Sequence, residues 1–373
     1  MVKLSQKINL MNGLLTGETA IGGPSYVSID VTQRCNLQCL CCIYHSPLIE
    51  VSPREDRSPD ISPDLFQEVC SELKTMGTNL IIIEGEGEPL LHSRIFDLIS
   101  ITKRMGFQVM LFTNGILLDE TRVLQIIDLK VNILKVSLWA SSSEEYAQNY
   151  PESDIRNFEK VVNGLKLLSY YKIKKKAVFP YVELCNPINR YNFQKIEKMV
   201  DFLYTTGCNS IFFSSVNSHK GKFASFALSP DEEKLFKLSL KGIKKKLDSV
   251  SLNHNIDQVL LRYKIGEAVW EKLPCYIAWY HSRIKVDGTV LPCNRCNLPM
   301  GSLNQYTFHH IWNSPNYRAF RRKTIARNGL NLLSEHCNCG FCCHVVNNKR
   351  IHKVFRWLSP LSGLTRKRKN DKE

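Results

Sequence analysis

No apolar run in the 373-residue chain approaches the length needed to span a bilayer. Met1 to Gly17 lacks a long apolar core and a small-residue cleavage site, so no secretory signal is expected. Internal repeats and long low-complexity segments are also missing, which leaves a folded chain of one large domain plus a smaller one. Acidic residues are in deficit: 35 stand against 50 Lys and Arg, a net charge of +15. Much of the surplus is local. Lys349 to Glu373 carries nine basic residues and two acids, interleaved with Val354, Phe355, Trp357, Leu358, Leu361 and Leu364. That tail reads as a solvated end or as a segment that lies on an anionic membrane surface. Nucleic acid is an unlikely partner, because no recognition motif accompanies the charge.

Cysteine is abundant, with 14 residues gathered towards the two ends of the sequence. A reducing, cytoplasmic setting fits, and there such clusters read as metal ligands rather than disulfides. Cys35, Cys39 and Cys42 stand at the spacing C-x3-C-x2-C, after a strand-like run ending in Thr32-Gln33-Arg34. One loop with this spacing can hold three irons of a [4Fe–4S] cube and leave the fourth open to a small molecule. A zinc knuckle would want a second close pair or histidines at short spacing, and His45 is the only histidine nearby. Cys41 leaves the third ligand ambiguous between itself and Cys42.

The run resembles the signature of the radical S-adenosylmethionine (SAM) enzymes, in which only Cys42 keeps the family spacing. The resemblance implies a [4Fe–4S] cluster with SAM on its open iron. It also implies reductive cleavage of SAM to a 5′-deoxyadenosyl radical that takes a hydrogen atom from the substrate, fed by an electron donor such as flavodoxin or ferredoxin.

Strand patterns are expected at Tyr26–Thr32, Asn79–Glu84, Phe107–Thr113, Ile133–Trp139, Ala177–Leu184 and Asn209–Ser214. The second, with Leu80, Ile81, Ile82 and Ile83 in a row, reads as buried on both faces. Helical patterns lie near Ser62–Met76, Ser93–Met105, Asp119–Asp128, Arg156–Tyr171 and Tyr191–Thr206. This alternation predicts an α/β fold with a parallel sheet. The resemblance makes it a six-stranded partial (β/α) barrel at 26–228, after an N-terminal extension at 1–25. A lysine-rich helical linker at 229–274, read as solvated, and a small α+β Fe–S auxiliary domain at 275–345 follow, before the basic tail at 346–373. In such barrels the chemistry sits at the C-terminal ends of the strands.

Glu84-Gly85-Glu86-Gly87-Glu88-Pro89 follows the second strand and resembles the family's Gly-Gly-Glu-Pro loop, with Glu86 in place of the first glycine. The resemblance implies that backbone groups of Gly85, Glu86, Gly87 and Glu88 meet the SAM amino group, with Glu88 organising the loop. Thr113-Asn114-Gly115 resembles the family's turn beside SAM, and Ser137 matches a position that contacts the SAM ribose or carboxylate. Asn186 and Asn189 are weaker candidates, and Trp139 suits either stacking or packing.

The C-terminal block pairs a hairpin pattern, Ile284 to Leu291 with an Asp287-Gly288 turn, with flanking Cys275 and Cys293. A basic helix near Tyr317–Ile325 and the cysteine-rich 337–343 come next. The block resembles the SPASM/Twitch auxiliary domain, which implies a second [4Fe–4S] cluster on Cys275, Cys293, Cys339 and Cys342. Cys296, Cys337 and Cys343 are then spare. A full SPASM domain also carries a C-x2-C-x5-C-x3-C run, and Ser302 stands where that run would continue from Cys293 and Cys296. A zinc ribbon would place its second pair closer. Cys70, Cys185 and Cys208 read as small core residues.

These observations favour a radical SAM oxidoreductase or epimerase on a small polar, sugar- or cyclitol-like molecule. A maturase acting on a ribosomal peptide is the alternative, weakened by the short stretch before the first strand. A non-catalytic Fe–S or zinc protein that binds nucleic acid is the third reading.

Overall fold

The computed structural model describes residues 4–49, 59–216, 221–265, 273–326, 330, 333–337, 339, 342 and 344–358. Cys343 and residues 359–373 of the basic tail lie outside the described residues. Helix α1 (Leu4–Thr16) precedes the alternating part of the chain. Strands β1 (Tyr26–Asp30), β2 (Leu80–Glu84), β3 (Gln108–Thr113), β4 (Ile133–Ser137), β5 (Tyr181–Ile188) and β6 (Ser210–Ser215) pair in parallel in that order. Between them run α2 (Pro63–Thr75), α3 (Ile95–Arg104), α4 (Glu120–Asp128), α5 (Ser143–Asn149), α6 (Arg156–Lys174) and α7 (Ile196–Thr206). The strand C-terminal ends form a rim, and the strand N-terminal ends lie with the helix C-termini at the base.

The sheet does not stop at six strands. A short β7 (Asn253–His254) extends it beyond β6. On the other side β8 (His281–Ile284) pairs in parallel with β1, followed by antiparallel β9 (Thr289–Leu291) and β10 (Gly301–Ser302). The auxiliary hairpin is thus continuous with the barrel sheet.

The expected α/β barrel is present, with local corrections. The β2 run is not buried on both faces: Ile81 and Ile83 are buried while Leu80, Ile82 and Glu84 are half-exposed, because its inner face lines the open interior of a partial barrel. The fifth strand begins at Tyr181 rather than Ala177, since Pro180 has no N–H to give a ladder. The helix expected from Tyr191 starts at Ile196, after a single 3-10 turn. Helices α1 and α5 were not expected. In the lysine-rich stretch, α8 (Pro230–Ser249) opens on a Ser229–Glu232 capping box, and α9 (Ile256–Ile265) follows. They are not a solvated linker: Phe236, Leu240, Ile243 and Leu247 bury one face of α8 in the core. Residues 266–272 lie outside the described set. Cys70 and Cys208 are buried, whereas Cys185 is half-buried beside Ser137 across the β4–β5 ladder.

The auxiliary region adds α10 (Phe308–Trp312), α11 (Pro315–Ile325) and α12 (Val345–Leu358), so the tail expected from residue 346 begins instead as a helix that buries Asn348 and Phe355. One basic residue of α11 is core rather than surface. Arg321 is fully buried and donates to the carbonyls of Ala278, Trp312 and Glu18 and to Asn313 Oδ1. Burial pushes its pKa down to about 9, and the rings of Trp312 and Tyr317 flank it at 4.6 and 4.9 Å. Arg321→Met removes the donor from three carbonyls, while Asn313 Oδ1 keeps Ala20 N–H, and we expect a loss of about 3–5 kcal/mol, read as a lower urea midpoint.

Candidate active site

The cysteine loop leaves β1 at the rim and is bound to its neighbours by main-chain contacts. Gly87 N–H donates to Thr32 O at 3.1 Å and Glu88 N–H to Arg34 O at 2.7 Å. These bonds lay the Glu84–Pro89 loop along the cysteine loop. Close approach is possible because residue 87 is glycine: a Cβ there would sit 2.0 Å from Arg34 O. From the other side, Leu40 N–H donates to Asn149 O of α5 at 3.1 Å.

A cavity of about 260 Å³ opens on this loop, and Cys35, Cys39 and Cys42 line one wall. Gly85, Glu86, Gly87 and Glu88 line another, and Thr113, Asn114 and Ser137 complete it. Cys41 does not line the cavity; it packs with Val216, Phe223 and Phe226 instead. Cys42 Sγ accepts N–H bonds from Tyr44 and His45 at 3.4 and 3.3 Å. Burial pushes the Cys35 thiol up to about 11 and that of Cys39 well above its usual range, and the neighbouring thiolates repel further. Three such thiolates need a cation between them, which is what iron supplies.

Glu88 is a loop organiser. Its Oε1 accepts from Thr113 Oγ1 at 2.7 Å and Leu90 N at 3.1 Å, and its Oε2 from Asn114 N at 2.6 Å. Burial raises its pKa against these bonds. Asn114 Nδ2 in turn donates to Asn36 Oδ1 at 2.7 Å, tying the β3 turn to the cysteine loop. Ser137 Oγ accepts from Trp139 Nε1 at 3.0 Å, so Trp139 both packs and borders the cavity. Asn186 and Asn189 fall outside it: both are buried and bond to Leu138 O and Asn149 Oδ1 beneath the rim.

Sequence reasoning named Glu86 for its backbone but missed the charged side-chain contacts that join the cavity to the auxiliary hairpin. Glu84 borders the cavity and accepts from Asn294 Nδ2 at 3.0 Å. Glu86 pairs with Lys285 at 3.2 Å, so the residue replacing the family's glycine reaches the hairpin. Asp30 and Arg283 form a buried pair at 2.7 Å across the β1–β8 ladder. Burial pushes Asp30 up to about 7 against the pull of Arg283. The unusual Glu84 and Glu86 were the signals available in the sequence.

In the auxiliary block, Gly288 takes φ +80 at the hairpin turn. Cys275 lies close enough to Cys339 and Cys293 for their charges to raise its pKa, although burial is the larger cause. Cys342 N–H donates to Cys339 O at 3.2 Å. Cys293 and Cys342 accept N–H bonds from Arg295 and His344 at 3.4 and 3.3 Å. Cys275 Sγ lies 3.9 Å from Asn348 Nδ2. Such donors suit cluster thiolates, whose potential they set. Cys296 and Cys337, expected as spare thiols, lie side by side across a single antiparallel bridge. Counted from Cys339 and Cys342, the C-x2-C-x5-C-x3-C run falls on Asn348 and His352, and Asn348 faces Cys275.

Residues 29–203 match the family model described as the Radical SAM superfamily, and residues 275–351 match SPASM, an iron–sulfur cluster-binding domain. The chain carries a radical SAM domain followed by a SPASM domain. A curated relative is the tungsten-containing aldehyde ferredoxin oxidoreductase cofactor-modifying protein of Pyrococcus furiosus. It is 23% identical over 87% of this chain and 90% of its own. Streptococcus suis SuiB bound to S-adenosylmethionine superposes with a TM-score of 0.64 at 15% identity, over 85% of this chain and 72% of that one. AdoMet-bound anSMEcpe gives 0.63 at 15% identity, over 90% and 99%. A SAM-binding [4Fe–4S] cluster and an auxiliary Fe–S cluster accompany these two domains, and no helix among the described residues is long and apolar enough to cross a membrane.

Proposed function

We propose that this radical SAM protein oxidises a small polar substrate by two electrons at the rim cavity, with the SPASM site receiving the second electron. When bound, the cluster on Cys35, Cys39 and Cys42 would supply a SAM-derived radical that takes a hydrogen atom, and the auxiliary cluster would accept the remaining electron as the substrate's proton leaves to water. The observation that carries the reading is the Asn294–Glu84 contact. It brings the residue after Cys293 onto the edge of the SAM cavity at 3.0 Å. Cys35, Cys39 and Cys42 hold the first cluster. Backbone groups of Gly85, Glu86 and Gly87 bind the SAM amino group, while Glu88 fixes their loop. Thr113, Asn114 and Ser137 border the SAM site. Cys275, Cys293, Cys339 and Cys342 hold a single auxiliary cluster, with Asn348 and His352 where a fuller domain has cysteines. Glu84, on the edge of the cavity, presents charge that orients a polar substrate. Flavodoxin or ferredoxin suits the role of electron donor.

A peptide substrate is the second reading. SuiB has also been solved bound to precursor peptide SuiA, with a TM-score of 0.62 to this chain.

The test uses the reconstituted full-length protein with dithionite and SAM, incubated separately with the small-molecule and peptide fractions of a cell extract. We expect 5′-deoxyadenosine from the wild type and none from the triple variant Cys35→Ala, Cys39→Ala, Cys42→Ala. The small-molecule fraction should raise the yield; a rise confined to the peptide fraction selects the second reading. With Cys275→Ala and Cys293→Ala, SAM cleavage should persist while oxidised product disappears. Unchanged product in that variant would sink the electron-accepting role.

A further inference from the structure

The base of the barrel, opposite the SAM cavity, exposes large apolar side chains among lysines. Ile173 and Val178 are 77% and 79% exposed, and Tyr170 and Phe179 emerge beside them where α6 turns into β5. The stretch from Tyr170 to Pro180 holds four lysines and no acid. Lys172 turns inward to Pro180 O, and Lys175 pairs with Asp128 of α4. Lys174 sits over the rings of Tyr170 and Tyr171. Lys176 is exposed at φ +52, in the turn that carries Val178 outward.

The same end of the molecule carries α1. Gln6 Nε2 donates to Gly77 O at 2.7 Å, which places this helix under the α2–β2 turn. Its Leu4 and Ile8 are 73% and 51% exposed, with exposed Lys7 between them. Lysines in the last turn of a helix are ordinary partners of its dipole. The dipole gives no reason for bare isoleucine, valine and leucine at the same level.

We propose that this base is a docking surface for an anionic lipid membrane. Separate aliphatic and aromatic tips beside the exposed Lys7, Lys174 and Lys176 suit shallow insertion between headgroups, where these lysine stems would lie along apolar surface with their charge at the phosphates. Protein interfaces deplete lysine at their cores, so a second copy or a protein partner fits the surface less well. The orientation leaves the SAM cavity facing away from the lipid. This inference is independent of the substrate reading above.

The test is co-sedimentation of the full-length protein with vesicles of phosphatidylcholine alone or mixed with phosphatidylglycerol. We expect binding to the mixed vesicles only. The double variants Ile173→Glu with Val178→Glu, and Lys174→Glu with Lys176→Glu, should each weaken it about tenfold or more. These positions are exposed, so unchanged circular dichroism is expected. Three results overturn the proposal: no binding by the wild type, equal binding to neutral vesicles, or full binding by both variants, which would assign the contact to the basic tail. Self-association abolished by Ile173→Glu, without vesicle binding, would make the occupant a second copy.

Discussion

Replacing Cys35, Cys39 and Cys42 together by alanine should lower the iron content from about eight to about four per chain after anaerobic reconstitution. Labile sulfide should fall in step. The remaining iron is assigned to the SPASM region, whose cysteines flank β8 and β9 in the chain and recur near residue 340. The geometry predicts independence, because no thiol is shared between the two sets. Cys41→Ala is the internal control and should keep about eight irons, since Cys41 packs with Val216, Phe223 and Phe226 and not along the cavity. Four irons falling to none, with zinc present, would instead make the C-terminal block a structural zinc site.

The second large effect is expected from a single methyl group. In Gly87→Ala the new carbon would meet Arg34 O at 2.0 Å and Arg34 C at 2.5 Å. Both are main-chain atoms of the cysteine loop, so no side-chain rotation can relieve the clash. The Glu84–Pro89 loop must move away, breaking the Gly87–Thr32 and Glu88–Arg34 bonds. An overpacking cost of about 1–3 kcal/mol corresponds to a loss of SAM affinity of about 5- to 150-fold, measured by equilibrium dialysis on the reconstituted protein. Gly77→Ala separates this from generic glycine loss. Gly77 lies at the base at φ +85, and a Cβ there meets nothing within 4 Å. That variant should lose some stability and keep its SAM affinity. Equal loss of SAM affinity in both would refute the close-approach argument.

Motifs with fixed spacing were the most legible part of the sequence, because a loop must present its ligands from consecutive turns. The C-x3-C-x2-C run was legible from its spacing, while the Gly-Glu-Pro loop, Thr113-Asn114 and Ser137 were named from the family resemblance, and the fold brings them around one cavity. Strand alternation was legible for a related reason, since period-2 burial repeats within each segment. Contacts between distant segments were not. Nothing local in His281–Ile284 signals a parallel partner near the start of the chain, and nothing in Asn294 signals Glu84. Arg321 shows the same gap: in a basic helix it looks like surface charge, and only the surrounding carbonyls explain its burial. The fifth strand was placed four residues early because β-branched and aromatic residues at 178–179 outweighed the missing N–H of Pro180.

The pairing of β8 with β1 also bears on how the chain is made. As it emerges from the ribosome, β1 finds β2 soon after synthesis, but its other edge has no partner until residues 281–284 appear. For most of translation the strand leading into the cysteine loop is therefore an open edge, a template for mispairing with another nascent chain. Long-range strand pairing of this kind is slow. A barrel cut off before residue 281 would keep that edge permanently, so removing the auxiliary domain should yield aggregate rather than a smaller soluble enzyme.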